Sequence, residues 1–416
     1  RSFRSSFMSD EIKYKKKELQ KLIADDNERE LCFLMLYWVY EEDAYSNLVI
    51  KKADKIASEE GKKIDFARAM LYGTLTYSFT IDFLIRHLTK EEVVDMDPVS
   101  RTIIRMAVWQ IQFGNNIPAY AAVDSAVEIT KKYNHKASGY VNAVLRKFAE
   151  SPEEKRDLEQ FKPGIRVALK PEIYGIFKKD FGKQTAFAIG KALLEPAHIT
   201  VRFDAHKVDQ DTLIKELKKE GITAIKGSFI PDCVEITGGL NGLENTECFN
   251  KYGMFVQGQG AMLASHIAHP ENADKILDCC AAPGGKSTHM AQMCRDDVSI
   301  LSVDVNETRL QLVRDNCKRL GLTSIETLCA DASNINKNDK VSKKTYDIVL
   351  CDVPCSGLGL LGRKPDIREK FTYDELDELI PLQFLMDSIS QRTGTLAVNY
   401  TDAGKMCQIS IVQIFV

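Results

Sequence analysis

Several short stretches hold residues whose spacing points to chemistry more than to packing. The first is CCAAPGGKST, Cys279 to Thr288. It looks like a phosphate-gripping loop, but the pattern G-x-x-x-x-G-K-[ST] would put its first glycine where Cys280 stands. The dinucleotide pattern G-x-G-x-x-G fails too, because Gly284 and Gly285 are adjacent and no third glycine follows at the right distance. A glycine pair after a first strand still lets backbone come close to a ligand, at the crevice where open α/β sheets bind small molecules. Position therefore argues for a cofactor, and spacing argues against a triphosphate. A nucleotide-dependent dehydrogenase or ATPase would rest on fold analogy alone.

The next apolar run ends in Asp304, 20 residues beyond Gly284, where a carboxylate can accept both hydroxyls of a ribose. Asp331, in CADAS, follows a third run and is placed to meet an adenine amino group. Asp352, in CDVPCSG, follows a fourth. A ribose without a phosphate cradle is nucleoside-like. Cys355 lies three residues past Asp352, after Pro354 and before Gly357 and Gly359, on a loop that leaves a thiol open. A thiol beside a nucleoside-like cofactor fits covalent activation of an otherwise inert carbon.

The elements that would position these groups are alternating strands and helices. Lys275–Asp278, Val298–Asp304, Ile325–Cys329 and Tyr346–Asp352 are apolar runs that read as buried parallel strands. Leu310, Val313, Cys317 and Leu320 mark one helical face between them. This alternation predicts a doubly wound, Rossmann-like α/β domain over 271–416. Ahead of it, 151–270 reads as linker helices near 171–182 and 184–194, then a small α+β module with strands at Ile199–Phe203, Ile222–Lys226 and Cys233–Ile236 and a helix over Gln210–Glu220. Residues 1–150 read as an all-α bundle with helices over 31–42, 46–60, 65–87, 99–113, 119–132 and 137–149. The opening RSFRSSFMSDEIKYKKKELQ is polar and is expected as a solvated, frayed end.

The 416 residues, 44% of them apolar, supply cores for about three domains. A formal charge of −3 gives no global pull on an anionic polymer, so nucleic-acid binding needs local basic patches. The 11 cysteines are scattered without zinc-type spacing, so no metal and a reducing, cytoplasmic setting are expected. The longest apolar run, Leu31 to Tyr40, is about half the ~20 residues that span a bilayer, so no membrane segment is expected.

LDCCAAPGGKST, SVDVNETRL, CADAS and DVPCSGLGLLGRKPDI closely resemble the S-adenosylmethionine-binding and motif IV segments of RNA 5-methylcytosine methyltransferases. YGTL, AVWQIQF, IPAYAAVDSAVEI and GYVNAVLRKF resemble the NusB-like RNA-binding domain of the RsmB (Sun) branch, which methylates a cytosine of bacterial 16S ribosomal RNA. The resemblance runs to about residue 390. It implies that Cys280, Ala281, Ala282, Pro283, Gly284, Gly285 and Lys286 line the S-adenosylmethionine, Asp304 holds its ribose, Asp331 its adenine side, and Asp352 lies between cofactor and target base. Cys355 is the motif IV cysteine, which in the family assists product release. A monomer acting on ribosomal RNA is expected, with RNA contacts from Lys131, Lys132, Arg146, Lys147, Arg363 and Lys364.

Two departures stand out. The family's second cysteine, which attacks carbon 6 of cytosine, belongs in a Thr-Cys or Ser-Cys step, and TGTLAVNYT places Thr401 there. Cys407 follows in unmatched surroundings, and the tail from about Gln391 reads as a truncated or frame-disturbed end. VQGQGAM, 256–262, stands where the family usually has an acidic or Ser-containing variant such as VQDEAS. The alternative to an active enzyme is accordingly a catalytically impaired remnant that still binds RNA and cofactor. If activity persists, Cys355 or Cys407 supplies the attack.

Overall fold

The computed structural model describes residues 7–195, 199–239, 242–333, 338, 341, 345–352, 356–374, 377, 379 and the strands 394–401 and 408–411, the two strands and residues 7–15 as backbone only. The chain divides into two compact units: 1–196 with 357–371, and 197–356 with 372–416.

The first unit is helical. Its helices are α1 Phe7–Ala24, α2 Glu28–Glu41, α3 Ser46–Glu59, α4 Asp65–Thr89, α5 Pro98–Gln112, α6 Ala119–Tyr133 and α7 Ser138–Ala149, followed by α8 Pro163–Arg166 and α9 Pro171–Ala192. The starts follow local chemistry: Asn27 caps α2 by accepting from the Glu30 amide, and Asp97 caps α5 at Ser100 with Pro98 in the first turn. Leu31, Phe33, Met35, Leu36, Met70 and Leu71 fill the core. Gly73 lets α4 approach α5 so closely that a Cβ there would stand 2.2 Å from the Trp109 indole. Trp109 is thus a packing residue, as is buried Trp38.

One expectation fails here. The N-terminal stretch is a helix, not a solvated tail, because Leu19, Leu22 and Ile23 recur three and four apart and are buried in the bundle core. The linker expected from residue 151 packs with the helical unit. Its long helix α9 is broken at Gly182, whose φ of 77° and ψ of 169° no helix accommodates.

The stretch 357–371 also belongs to this unit. Arg368 is 1% exposed, and its guanidinium donates to the carbonyls of Ala168 at 2.8 Å and Leu193 at 3.0 Å. Glu369 accepts from Lys170 at 3.1 Å and from the Ser78 hydroxyl. Lys370 donates to Asp43 and to the Ala44 carbonyl, both at 3.0 Å. A buried charge held this way fixes a single seating, since any other leaves it unpartnered in a dry interior.

The second unit contains two sheets. The smaller has antiparallel strands β1 Ile199–Arg202, β2 Thr223–Lys226, β3 Cys233–Gly238 and β4 Phe255–Val256 in the order β2-β3-β1-β4. Helix α10, Gln210–Lys219, buries Leu213 and Leu217 against Val201, Phe203 and Val234. After α11 Glu247–Lys251 and α12 Gln259–Ala268 come β5 Lys275–Asp278, α13 Gly285–Met293, β6 Ser299–Asp304, α14 Glu307–Leu320, β7 Ile325–Cys329, β8 Tyr346–Cys351, β9 Gly394–Thr401 and β10 Gln408–Ile411.

The larger sheet runs β10-β9-β8-β5-β6-β7, parallel except for β10. Alternate residues serve its two faces: Leu277, Val303 and Val349 on one, Ile276, Ile300 and Ile348 on the other. The chain begins at central β5, moves out through β6 and β7, then returns to the other side of β5 at β8. That reversal opens a crevice beyond the carboxyl ends of β5, β6 and β8. The expected doubly wound sheet is present, and Leu310, Val313, Cys317 and Leu320 are the buried face of α14.

Candidate active site

The loop after β5 is pinned on both sides of the reversal. The Cys279 amide donates to the Leu350 carbonyl of β8 and the Ala281 amide to the Val303 carbonyl of β6, both at 2.9 Å. Gly284 then turns left-handed, φ 97°, and starts α13. A Cβ on Gly284 would lie 3.1 Å from Val313 Cγ1 and 3.3 Å from the Val313 backbone, so its bare face meets α14. One on Gly285 would make only ordinary contacts with Phe255 and Gln257.

The three expected acids stand at or just past the carboxyl ends of β6, β7 and β8. Asp304, 3% exposed, closes β6; its Oδ1 accepts from the Asn306 amide at 3.0 Å and its Oδ2 from the Ala282 amide at 3.3 Å. Arg309 Nη1 approaches Asp304 at 3.4 Å. Asp331 is exposed past β7 and accepts from the Ser333 amide at 2.8 Å. Asp352, past β8, forms an ion pair with Lys286. Lys286 is therefore held by a carboxylate of the same chain, where a phosphate loop would point it at an anion.

A fourth carboxylate was not singled out from sequence. Asp278, 1% exposed, accepts from the Ser287 hydroxyl at 2.6 Å, and burial pushes its pKa up to about 6. It ends an apolar run, where only its place at the strand terminus marks it out. Burial also pushes the Cys280 thiol up, so Cys280 is a neutral thiol lining the loop. Among the described residues at these strand ends and the helices after them, Asp278, Asp304, Asp331 and Asp352 outnumber Lys286 and Arg309, and a surplus of carboxylates suits a cationic, hydroxyl-bearing ligand and repels a polyphosphate.

Behind the loop, Arg202 at the end of β1 is fully buried over the Phe255 ring at 4.8 Å. It donates to Gln257 Oε1 at 2.7 Å, to Thr288 Oγ1 at 2.7 Å and to Gln292. This fork joins the small sheet to both ends of α13, at Thr288 and Gln292. The Gln257 of VQGQGAM is one of its acceptors, and the Gln257 amide also continues the β1 edge by donating to the Thr200 carbonyl at 3.1 Å. Asp232 accepts from His266 and His289, each at 2.7 Å, which ties the module to α12 and α13. Burial lowers His289 to about 4, so it is neutral, while Asp232 holds His266 above its ordinary value. With both Nε2 atoms bonded to the carboxylate, the trio is a hydrogen-bonded brace.

Cys355 and Cys407 lie outside the described residues. Thr401 is the last residue of β9, which runs parallel to β8 with Asn399 opposite Cys351, so the chain reaches Thr401 at the sheet's carboxyl end. Of the expected RNA-contacting cations, Lys131 pairs with Glu128, Lys132 with Glu30, and Lys147 donates to the Thr89 carbonyl. Among the described residues no helix is long and apolar enough to cross a membrane.

Comparison with known proteins agrees with this architecture. Residues 265–396 match the 16S rRNA methyltransferase RsmB/F model, 26–150 the NusB family, and 174–241 the RsmF/B-like ferredoxin-like domain. The chain is 28% identical over 367 residues to "Probable ribosomal RNA small subunit methyltransferase B" of Bacillus subtilis (strain 168), covering 85% of this chain and 79% of that protein. It is 26% identical over 359 residues to ribosomal RNA small subunit methyltransferase B of Escherichia coli O127:H6, covering 84% and 80%. The solved structure of PH0851 superposes with a TM-score of 0.71 at 20% identity, over 90% of this chain and 85% of that one. From residue 26 to residue 396 the chain thus matches, domain by domain and in order, the parts of an RsmB/F-type 16S rRNA methyltransferase, a family that uses S-adenosylmethionine.

Proposed function

We propose that this chain transfers a methyl group from S-adenosylmethionine to carbon 5 of a cytosine in small-subunit ribosomal RNA. The observation that carries the reading is the Lys286–Asp352 ion pair at the sheet's reversal, which leaves the lysine of the glycine-rich loop neutralised by the chain itself. When bound, S-adenosylmethionine supplies an electrophilic methyl carbon on a cationic sulfur. The loop from Cys280 through Ala281, Ala282, Pro283, Gly284 and Gly285 to Lys286 lines it, Asp304 holds the ribose, Asp331 meets the adenine side, and Asp352 lies between cofactor and base.

The target carbon of cytosine is a poor nucleophile until a thiolate adds to carbon 6. That bond sends an electron pair to carbon 5. Carbon 5 takes the methyl group, whose former bond to sulfur breaks with its electron pair left on that sulfur; carbon 5 then gives up its proton to solvent, the bond between carbon 6 and the cysteine sulfur breaks, and the ring and the thiolate are restored. Thr401 lacks an accessible ionisation, so Cys355 or Cys407 supplies the thiolate. Buried neutral Cys280 does not.

Labelled S-adenosylmethionine incubated with the protein and unmodified small-subunit RNA should place label on cytosine carbon 5, and label on another base or on protein refutes the assignment. Donor binding by calorimetry without turnover would instead identify an inactive binding protein. RNA carrying 5-fluorocytosine should trap a covalent adduct that Cys355→Ala or Cys407→Ala abolishes; an adduct surviving both changes removes the thiol assignment.

A further inference from the structure

The helical unit contains a cleft of about 1000 Å³ between the second half of α4, the segment 160–165 that leads into α8, and both halves of broken α9. Its walls are rings: Phe79 and Phe83 from α4, Phe161 from the loop, Tyr174 and Phe187 from α9. Phe83 and Phe161 meet edge to face with centroids 4.8 Å apart, and the Arg166 guanidinium covers one side of Phe187 at 4.7 Å. All these rings are partly exposed.

The charged side chains that line the cleft have one sign, while Arg166 beside Phe187 is ion-paired with Glu159. Arg86, Lys162, Lys178 and Lys183 line the cleft, all exposed, and no aspartate or glutamate lines it. Arg86 comes only within 4.0 Å of Glu92, and among the described residues Lys162, Lys178 and Lys183 form no ion pair. The break at Gly182 brings Lys178 and Lys183, from the two halves of α9, to the same opening. By contrast, Lys131 and Lys132 at the end of the bundle are neutralised by glutamates of the chain itself.

We propose that this cleft binds a single-stranded segment of the RNA substrate, with unpaired bases stacked on the rings and phosphates against Lys162, Lys178, Lys183 and Arg86. The proposal rests on the reading of the chain as an RNA methyltransferase. Stacking on aromatic faces needs bases freed from a duplex, and a cationic rim without acids follows the backbone. Each phosphate contact on a single strand contributes about 0.7 to the slope of log affinity against log salt.

The test uses the full chain and fluorescence anisotropy with labelled single-stranded small-subunit RNA fragments over a series of KCl concentrations. Lys178→Gln with Lys183→Gln should weaken binding about 10-fold at low salt and flatten the slope by about 1.4, for two lost contacts. Lys178→Glu with Lys183→Glu should weaken it further. Both side chains are exposed, so the melting temperature should stay within about 1 °C. Photocrosslinking with 4-thiouridine RNA should mark the peptides holding Phe161, Tyr174 or Phe187. Unchanged affinity and slope in both double variants, equal binding of fully paired RNA, or competition by an acidic peptide in place of RNA each overturn the cleft assignment. Methyl transfer by the unmodified chain separates the two failures: if transfer persists while the variants bind normally, only the cleft is wrong, and if no RNA is bound or methylated, the enzymatic reading falls with it.

Discussion

Gly284 offers the sharpest test of how the cofactor loop is built, because two reasons for that glycine make opposite forecasts. The sequence argues for clearance toward a ligand, whereas the structure turns its bare side to Val313. In Gly284→Ala, a backbone at φ 97° costs about 1–2 kcal/mol for any residue with a Cβ. The new methyl, 3.1 Å from Val313 Cγ1 and 3.3 Å from the Val313 backbone, adds about 1–3 kcal/mol, since a main-chain atom cannot swing away. The expected loss is ~2–5 kcal/mol in urea denaturation. Val313→Ala relieves the crowding against Cγ1 but leaves that against the main chain, so a double-mutant cycle should show about 1 kcal/mol of favourable coupling. A Gly284→Ala loss under about 0.5 kcal/mol, or a loss that Val313→Ala leaves untouched while donor affinity still collapses, would refute the packing argument and restore the ligand-clearance one.

Three further outcomes are expected. The folded pKa of His289 is about 4 against 6.5 unfolded, so as pH falls from 6.5 to 4 the unfolded state takes up the proton first and stability drops by about 3 kcal/mol. Asp278, raised to about 6, acts in the opposite sense in that window, so the contribution of His289 is read as the difference between wild type and His289→Gln, whose pH–stability curve should be flatter by that amount. Asp304→Asn keeps the shape of a side chain 3% exposed but removes its charge; donor affinity by calorimetry should fall at least about 10-fold, by the 1.5–3 kcal/mol typical of charged hydrogen bonds. Gly73→Ala drives a methyl to 2.2 Å from Trp109 and should lower the thermal midpoint by more than about 5 °C, corresponding to a few kcal/mol of overpacking.

The sequence exposed what is local and periodic. The strands at 275–278 and 325–329 coincide with the apolar runs, and the capped bundle helices start where Asn27 and Asp97 supply oxygen to free amides. The strand-end positions of Asp304, Asp331 and Asp352 were legible because a strand terminus followed by an acid is a one-dimensional signal. Helix α1 was not, since its lysines mask the three apolar residues that bury it. β4, Phe255–Val256, is too short to show a period. Arg202 was invisible for a different reason: its partners at 257, 288 and 292 come together only through tertiary folding, and nothing in TVRFD marks that arginine as buried. The lysines that pair with Glu30 and Glu128 looked available for the same reason.

The seating of 357–371 has a topological consequence. The polypeptide runs through the helical unit as far as residue 196, leaves it, and returns for fifteen residues, 357–371, before leaving again. Neither half is thus a contiguous piece of gene. A protease nick or a stop-and-restart near residue 196 would leave the two products sharing a threaded element, with Arg368 still lodged under the carbonyls of Ala168 and Leu193. A fragment begun after that point would carry a stranded guanidinium with no carbonyls to receive it. The helical front is consequently not a detachable accessory, and modular shuffling of this architecture has to carry the returning stretch with it.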